Sequence, residues 1–167
     1  MTEEGTTSGS RAFEELVDRL DYPMLIVTAA AGDERAGCLI GFATQCSLDP
    51  PRYLVCISEA NHTCPVAARS EHLAVHVLDR ADEELSVLFG EQTGDEVDKF
   101  AACSWHEVRG VPVLTDTKAW FVGRVLERIP LGDHVGHLLE PVDGQAPERI
   151  DLLTFQQVRD MEPGHPA

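Results

Sequence analysis

The segment from Gly37 to Cys56, GCLIGFATQCSLDPPRYLVC, constrains the fold more than any other part of the chain. An apolar run passes through small and hydroxyl side chains, meets Ser47-Leu48-Asp49-Pro50-Pro51, and re-emerges as a second apolar run. Neither proline has an N–H to give to a strand ladder, so regular pairing is expected to stop at this corner. Two strands joined by so rigid a corner, with small and polar residues just before it, can hold a flat, phosphate-bearing ligand against exposed backbone.

Short β-like runs and turn signals extend on both sides of that segment. Residues 1–10 are rich in Thr, Ser, Gly and Glu and read as a disordered tail. Ser10 can cap a helix whose Phe13, Leu16, Val17 and Leu20 follow helical spacing. The runs 24–29, 35–44, 52–58, 72–78, 118–129 and 135–142 read as strands. Short helices are expected over 63–70 with Pro65 in the first turn, over 83–89 capped by Asp82, and over 97–102. Residues 152–161 carry the pattern of a closing amphipathic helix. Six strands with inserted short helices, and no regular strand–helix alternation, predict a mostly β fold: an antiparallel β-barrel rather than a doubly wound sheet. The expected organisation is a tail over 1–10, one barrel over 11–155, and a C-terminal helix and tail over 156–167.

Charge narrows the partners. Lys and Arg number 13 against 29 Asp and Glu, a formal net charge of −16. Such a surface repels nucleic acid and anionic lipid, so neither is expected to bind. No apolar run approaches the ~20 residues that span a bilayer. The start MTEEGTTSGS lacks the basic and apolar regions of a signal peptide, and a cytoplasmic location is expected. The five cysteines include no CxxC pair and read as reduced, packed thiols, Cys46 and Cys56 beside the proline corner among them.

Several chemistries lack their signatures. There is no HExxH or paired Cys/His spacing, and His134 and His137, three apart in a strand, point to opposite faces, so no metal is expected. GxSxG, P-loop and GxGxxG motifs are absent as well. Thr44, Gln45 and Ser47 remain before the corner, and Ser58, Asn61, His62 and Thr63 follow the next strand where a helix begins. The latter group is either a phosphate site at a helix N-terminus or an ordinary cap. Lys99 is either a surface ion pair or a phosphate contact. Gly132-Asp133-His134 places a histidine in a tight turn, suited to proton handling or stacking, or simply exposed there.

Taken in order, Gly37 with the strand to Thr44, SLDPP at 47–51, LVCIS at 54–58, Thr63 opening a helix, LAVHVL at 73–78, DKF at 98–100, PVL at 112–114 and GDH at 132–134 form a recognisable series. Over roughly residues 13–142 the chain resembles the flavin reductase-like, FMN-binding split barrels. The resemblance implies a Greek-key-like antiparallel split β-barrel that forms a homodimer. It implies binding of FMN, or FAD in some members, and flavin reduction by NADH or NADPH, often for a separate monooxygenase. Carried over by position, Leu39, Ile40, Gly41, Phe42, Ala43, Thr44 and Gln45, with Ser47, lie along the isoalloxazine and ribityl chain. Ser58, Asn61, His62 and Thr63 lie near the phosphate, Lys99 and Phe100 approach it from their own loop, and His134 is the catalytic candidate beside flavin and nicotinamide. The chain departs from the family pattern at Gly41-Phe42, where many members have Asn-Ser, and at Gln45, where they have Ser. It also has His137 and Leu139 where an aromatic and a glycine commonly follow GDH. These departures leave a second expectation, a split barrel that holds FMN or a deazaflavin without oxidising nicotinamide.

Overall fold

Every strand pair among the described residues is antiparallel, and the apolar runs found in the sequence supply the most buried strands. The computed structural model describes residues 7–93 and 97–162. The strands are β1 (Leu25–Ala31), β2 (Glu34–Ile40), β3 (Ala43–Leu48), β4 (Pro51–Ser58), β5 (His72–Val77), β6 (Trp105–Val108), β7 (Val111–Leu114), β8 (Trp120–Leu131) and β9 (His134–Gln145). The helices are α1 (Ser8–Val17), α2 (Thr63–Ala67), α3 (Glu83–Glu91) and α4 (Phe155–Val158), with 3-10 turns at Arg80–Asp82 and Lys99–Ala101. Seven strands form one sheet in the order β2-β1-β5-β8-β9-β4-β3, and β6 and β7 form a separate hairpin. No helix among the described residues is long and apolar enough to cross a membrane.

The two edge strands of the large sheet, β2 and β3, are neighbours in sequence, joined by Gly41-Phe42 alone. A two-residue link between opposite edges forces the sheet to curl until its edges approach, giving a barrel open along one seam. Here the structure corrects the single strand expected over 35–44. Residues to Ile40 pair with β1 through Leu25 opposite Ile40, whereas Ala43 onward pairs with β4 through Ala43 opposite Val55. One straight strand cannot satisfy both edges, so the chain breaks at Gly41-Phe42.

The proline corner is tighter than expected. Pairing continues to Leu48 opposite Pro51, with a cis Asp49-Pro50 bond between them, so β3 and β4 form a hairpin rather than a break in the ladder. Pro51 is tolerated as the first residue of its strand. The turn at Gly132-Asp133 joins β8 to β9, with Gly132 at φ 72°. A further hairpin, unforeseen in the sequence, joins β6 and β7 through Arg109 and Gly110, both at positive φ as a two-residue turn of this kind requires. Helix α1 begins at Ser8, inside the stretch read as a tail, with the Thr7 hydroxyl rather than Ser10 capping it. Residues 1–6 lie outside the described residues. The closing helix is one turn, α4, and Asp82 accepts the Asp79 N–H instead of capping α3.

Inside the curl, Val27, Val55, Ile57, Leu73, Val75 and Leu139 form the main core, with Val66 and Ala67 of α2 packed onto it. A second cluster around Met24, Ile26, Leu78, Phe89 and Phe100 is covered by α3 and the residues flanking α4. Burying side chains of this size stabilises by roughly 1.5–3 kcal/mol each. His76, fully buried, bonds the Ile26 carbonyl through Nδ1 (2.9 Å) and accepts the Leu114 N–H at Nε2 (3.0 Å), tying the small hairpin to the large sheet. Arg128 donates to the Ala67 and Ser70 carbonyls and so closes the end of α2. The Leu139 side chain, a departure from the family pattern, packs diagonally over Gly123 of the neighbouring strand, where a Cβ would come within 2.7 Å of the Leu139 Cβ.

Candidate functional site

A cavity of about 420 Å³ opens at the seam where the chain crosses from β2 to β3. That volume lies in the range of small-molecule and cofactor sites. The crossover supplies one wall, with Leu39, Ile40, Gly41 and Phe42, and Cys38 behind them. The end of β4 and the turn after it add Cys56, Ser58 and Asn61, and the start of β9 adds His134. Phe89 and Gly90 close one side from the end of α3. The last wall is formed by Tyr22 and Met24 with Phe155, Val158, Arg159 and Met161 from α4 and the turn after it. Among the described lining residues there is no Asp or Glu, although the chain carries 29 of them.

Aromatic rings follow one another along the rim. His134 and Phe42 lie 5.1 Å apart between centroids and Phe42 and Tyr22 6.5 Å, while Tyr22 stacks on Phe155 at 4.9 Å with the planes 12° apart. Gly41 is needed for this arrangement, because a Cβ there would sit 2.4 Å from Cε2 of Tyr22. His134 Nδ1 lies 2.7 Å from Asp133 Oδ1. A carboxylate only accepts, so Nδ1 donates in this contact and the other ring nitrogen, Nε2, is left for another partner. The same hydrogen bond holds the Asp133 carboxyl below its usual range.

The structure thus gathers Leu39, Ile40, Gly41, Phe42, Ser58, Asn61 and His134 around one cavity. It places the other expected contacts elsewhere. Lys99 is 4% exposed and donates to the Gly37 and Phe89 carbonyls at 3.2 Å each, with its ammonium 5.4 Å from the Phe89 ring. It ties the end of α3 to β2 from behind the lining residue Phe89 without lining the cavity itself, and burial lowers its pKa. Phe100 packs edge-to-face against Phe89 and Trp105 in the second core. Thr63 is buried with its hydroxyl bonded to Cys38, and His62 lies 3.5 Å from Glu34. Ala43, Thr44, Gln45 and Ser47 continue along edge strand β3, with Thr44 and Gln45 exposed. Ser58 and Asn61 shape the turn into α2, accepting the N–H groups of Ala60 (3.3 Å) and Thr63 (2.9 Å).

Sequence reasoning missed Tyr22, Phe155, Arg159 and Met161, which lie far from the crossover along the chain. The amphipathic pattern over 152–161 was the available signal, but it gave no direction for the helix to face. The thiols at the site stay protonated. Burial pushes Cys38 up to about 11, against the smaller opposing effects of the Thr63 hydrogen bond and Lys99, and it also raises Cys56. Among the described residues, no group of three His, Cys, Asp or Glu side chains is placed to hold a metal.

A split antiparallel barrel with one apolar, ring-lined cavity at its seam defines a class of cofactor-binding proteins. The family model described as "Flavin reductase like domain" matches residues 17–162, and the chain belongs to that family. FMN reductase (NADH) RutF of Methylorubrum populi is 32% identical over 134 residues, 80% of this chain and 66% of that protein. Stachydrine N-demethylase reductase subunit Stc3 of Rhizobium meliloti is 31% identical over 130 residues, 75% of this chain and 54% of that protein. This chain therefore spans between half and two thirds of the length of these two relatives. The crystal structure of a flavin reductase domain protein from Arthrobacter sp. FB24 superposes with a TM-score of 0.79 at 22% identity, covering 94% of this chain and 95% of that one.

Proposed function

We propose that this protein is an NAD(P)H-dependent flavin reductase that binds FMN in the seam cavity. The observation that carries the reading is the cavity itself, mostly apolar, lined by aromatic rings and free of carboxylates among its described lining residues, with a carboxylate-oriented histidine at its rim. These residues suit an anionic, planar cofactor in a chain otherwise strongly acidic. When bound, the flavin supplies the acceptor for hydride from the nicotinamide. The protein's part is to hold two flat rings in contact and exclude water between them. Phe42, Tyr22 and Leu39 offer apolar surface to a ring, Ser58 and Asn61 offer polar groups, and His134 presents Nε2 to the reacting face while Asp133 keeps its ring oriented.

RutF relatives named as NADH-dependent FMN reductases support FMN as the flavin and NADH as a donor, and a relative named as the reductase subunit of an N-demethylase supports service to a separate enzyme component. Five free cysteines fit a reducing, cytoplasmic setting. Exposed Leu48, Leu126 and Leu131 on β3 and the β8–β9 hairpin, beside an edge strand whose ladder is open, support a homodimer formed through that arm.

The visible spectrum of the purified protein, before and after NADH is added without oxygen, tests the reading. Bleaching of a bound flavin supports it; a colourless protein with no change on FMN titration sinks it. His134→Ala should slow hydride transfer about a hundredfold with little change in FMN affinity. A second reading, FMN or deazaflavin binding without nicotinamide turnover, draws on Phe42, whose ring stands 5.1 Å from His134 where the donor would approach. Stoichiometric FMN binding with background NADH and NADPH oxidation would select it.

A further inference from the structure

Arg159 is the one Lys or Arg among the described residues that line the cavity. Its guanidinium lies 2.7 Å from Asp18 Oδ1 and 2.8 Å from Gln156 Oε1, and 5.9 Å from the Phe155 ring centre. From Phe155 the rings of Tyr22 and Phe42 lead to His134. We propose that Arg159 is the phosphate contact for the nicotinamide dinucleotide and that Asp18 is its internal competitor, a proposal that rests on the flavin reductase reading. A dinucleotide that brings its nicotinamide to His134 along this row of rings carries its phosphates toward the guanidinium.

The energetics favour exchange of partners. The side chains of Arg159 and Asp18 are 37% and 63% exposed, and an ion pair so open to water is weak and readily exchanged. A phosphate offers a guanidinium fork two anionic oxygens in parallel, a stronger and more directional match than the single Asp18 oxygen. In a chain of net charge −16 every phosphate approaches against long-range repulsion, so one local cation weighs more than it would elsewhere. Asp18 then does two things: it holds Arg159 at the cavity when no ligand is bound, and it lowers the arginine's affinity for anions.

The test uses ADP-ribose, which carries the pyrophosphate but no nicotinamide, titrated calorimetrically into wild type, Arg159→Gln, Arg159→Lys and Asp18→Asn. Michaelis constants for NADH and NADPH and affinities for FMN and riboflavin are measured alongside. Arg159→Gln should weaken ADP-ribose about tenfold and raise the nicotinamide KM similarly with kcat nearly unchanged, and Arg159→Lys should recover part of the loss. Asp18→Asn should tighten ADP-ribose about threefold. Equal KM effects on NADH and NADPH place the pyrophosphate on Arg159, and a larger effect on NADPH places its 2′-phosphate there; both support the proposal. If Asp18→Asn and Arg159→Gln weaken ADP-ribose together, the pair only braces α4 and the proposal is overturned. It is equally overturned if Arg159→Gln leaves ADP-ribose unaffected and weakens FMN but not riboflavin. ADP-ribose undergoes no redox change, so its binding reports on Arg159 even if the protein oxidises no nicotinamide, which keeps failure of this proposal distinct from failure of the functional reading.

Discussion

The β2–β3 crossover and the C-terminal clasp face each other across one cavity but are held by different forces. The crossover is anchored at both ends by the sheet, with Ile40 opposite Leu25 and Ala43 opposite Val55, and with the core behind it. The clasp brings α4 against residues 18–24 through exposed side-chain bonds. Gln156 Nε2 donates to the Asp18 and Leu20 carbonyls at 3.0 and 2.9 Å, and two backbone bonds, Met24 to Leu153 and Phe155 to Tyr22, complete it. Leu153 and Val158 seat the clasp on the second core, but solvent competes for its exposed bonds, so the clasp is expected to open more readily than the crossover. A cavity built this way has one wall that sets geometry and one that can yield when a ligand enters.

The largest test of that contrast is acid. His76 and His137 both lie on the sheet side, fully buried, and burial lowers each pKa from 6.5 to about 4. The Ile26 carbonyl opposes the shift at His76, while Arg128 adds to it at His137. A histidine whose folded pKa is depressed binds its proton more readily when unfolded. Its contribution is therefore complete above pH 6.5 and is lost as pH falls toward 4, by on the order of 3 kcal/mol for each ring. The two differ in their partners. Both nitrogens of His76 are bonded, whereas neither nitrogen of His137 makes a well-formed hydrogen bond, the Val135 and Val55 carbonyls only weakly opposing its shift. His137→Phe should accordingly remove about half of the acid sensitivity and leave neutral stability equal or higher. His76→Phe should cost about 2 kcal/mol at neutral pH, because the Leu114 N–H is left buried and unpaired. Urea unfolding above, within and below this pH window checks both. A clasp variant that changed the pH slope as much would break the contrast.

Next in size is Gly41→Ala, at the point where the two walls touch. The added Cβ would meet the Tyr22 ring, which is itself stacked on Phe155. If Tyr22 holds, the overlap should cost about 1–3 kcal/mol in stability and weaken FMN as well. Unchanged stability with a large loss of FMN affinity would mean that Tyr22 and the clasp had swung aside, locating the softness of the cavity on that wall. Urea midpoints and an FMN titration on the same variant separate the two results.

The same contrast explains what could be read from the sequence. Local chemistry was legible: the Gly132-Asp133 turn follows from its residues, the strands from their apolar runs, and the family from motifs that are short and contiguous. Partner choice was not. Nothing in the run through 35–44 says that its two halves pair with different strands, because alternation reports that a strand exists and not which edge it joins. Lys99 reads in the sequence as either a surface ion pair or a phosphate contact, yet its ammonium is held by two carbonyls, one of them Gly37 O 62 residues away. The clasp was the least visible feature, since Arg159 and Asp18 are 141 residues apart and neither lies in a motif.

The smallest expected effect falls on the clasp itself. Gln156→Ala removes two donated bonds to backbone carbonyls and the acceptor for Arg159, all at exposed positions, so global stability should fall by no more than about 1 kcal/mol. Local opening should rise more than global unfolding, because what still joins residues 18–24 to the α4 segment is two backbone bonds, the exposed contacts of the residue-156 N–H with Asp21 and of Arg159 with Asp18, and the Tyr22–Phe155 stack. Hydrogen exchange over residues 155–161 should therefore quicken in Gln156→Ala while β1 and β5 keep wild-type protection, and FMN should slow the exchange again if it fills the cavity. Equal acceleration in β1 and β5 would show that α4 is part of the same cooperative unit as the sheet. The two walls would then be one body, and the yielding wall would have to be sought at the β3 edge instead.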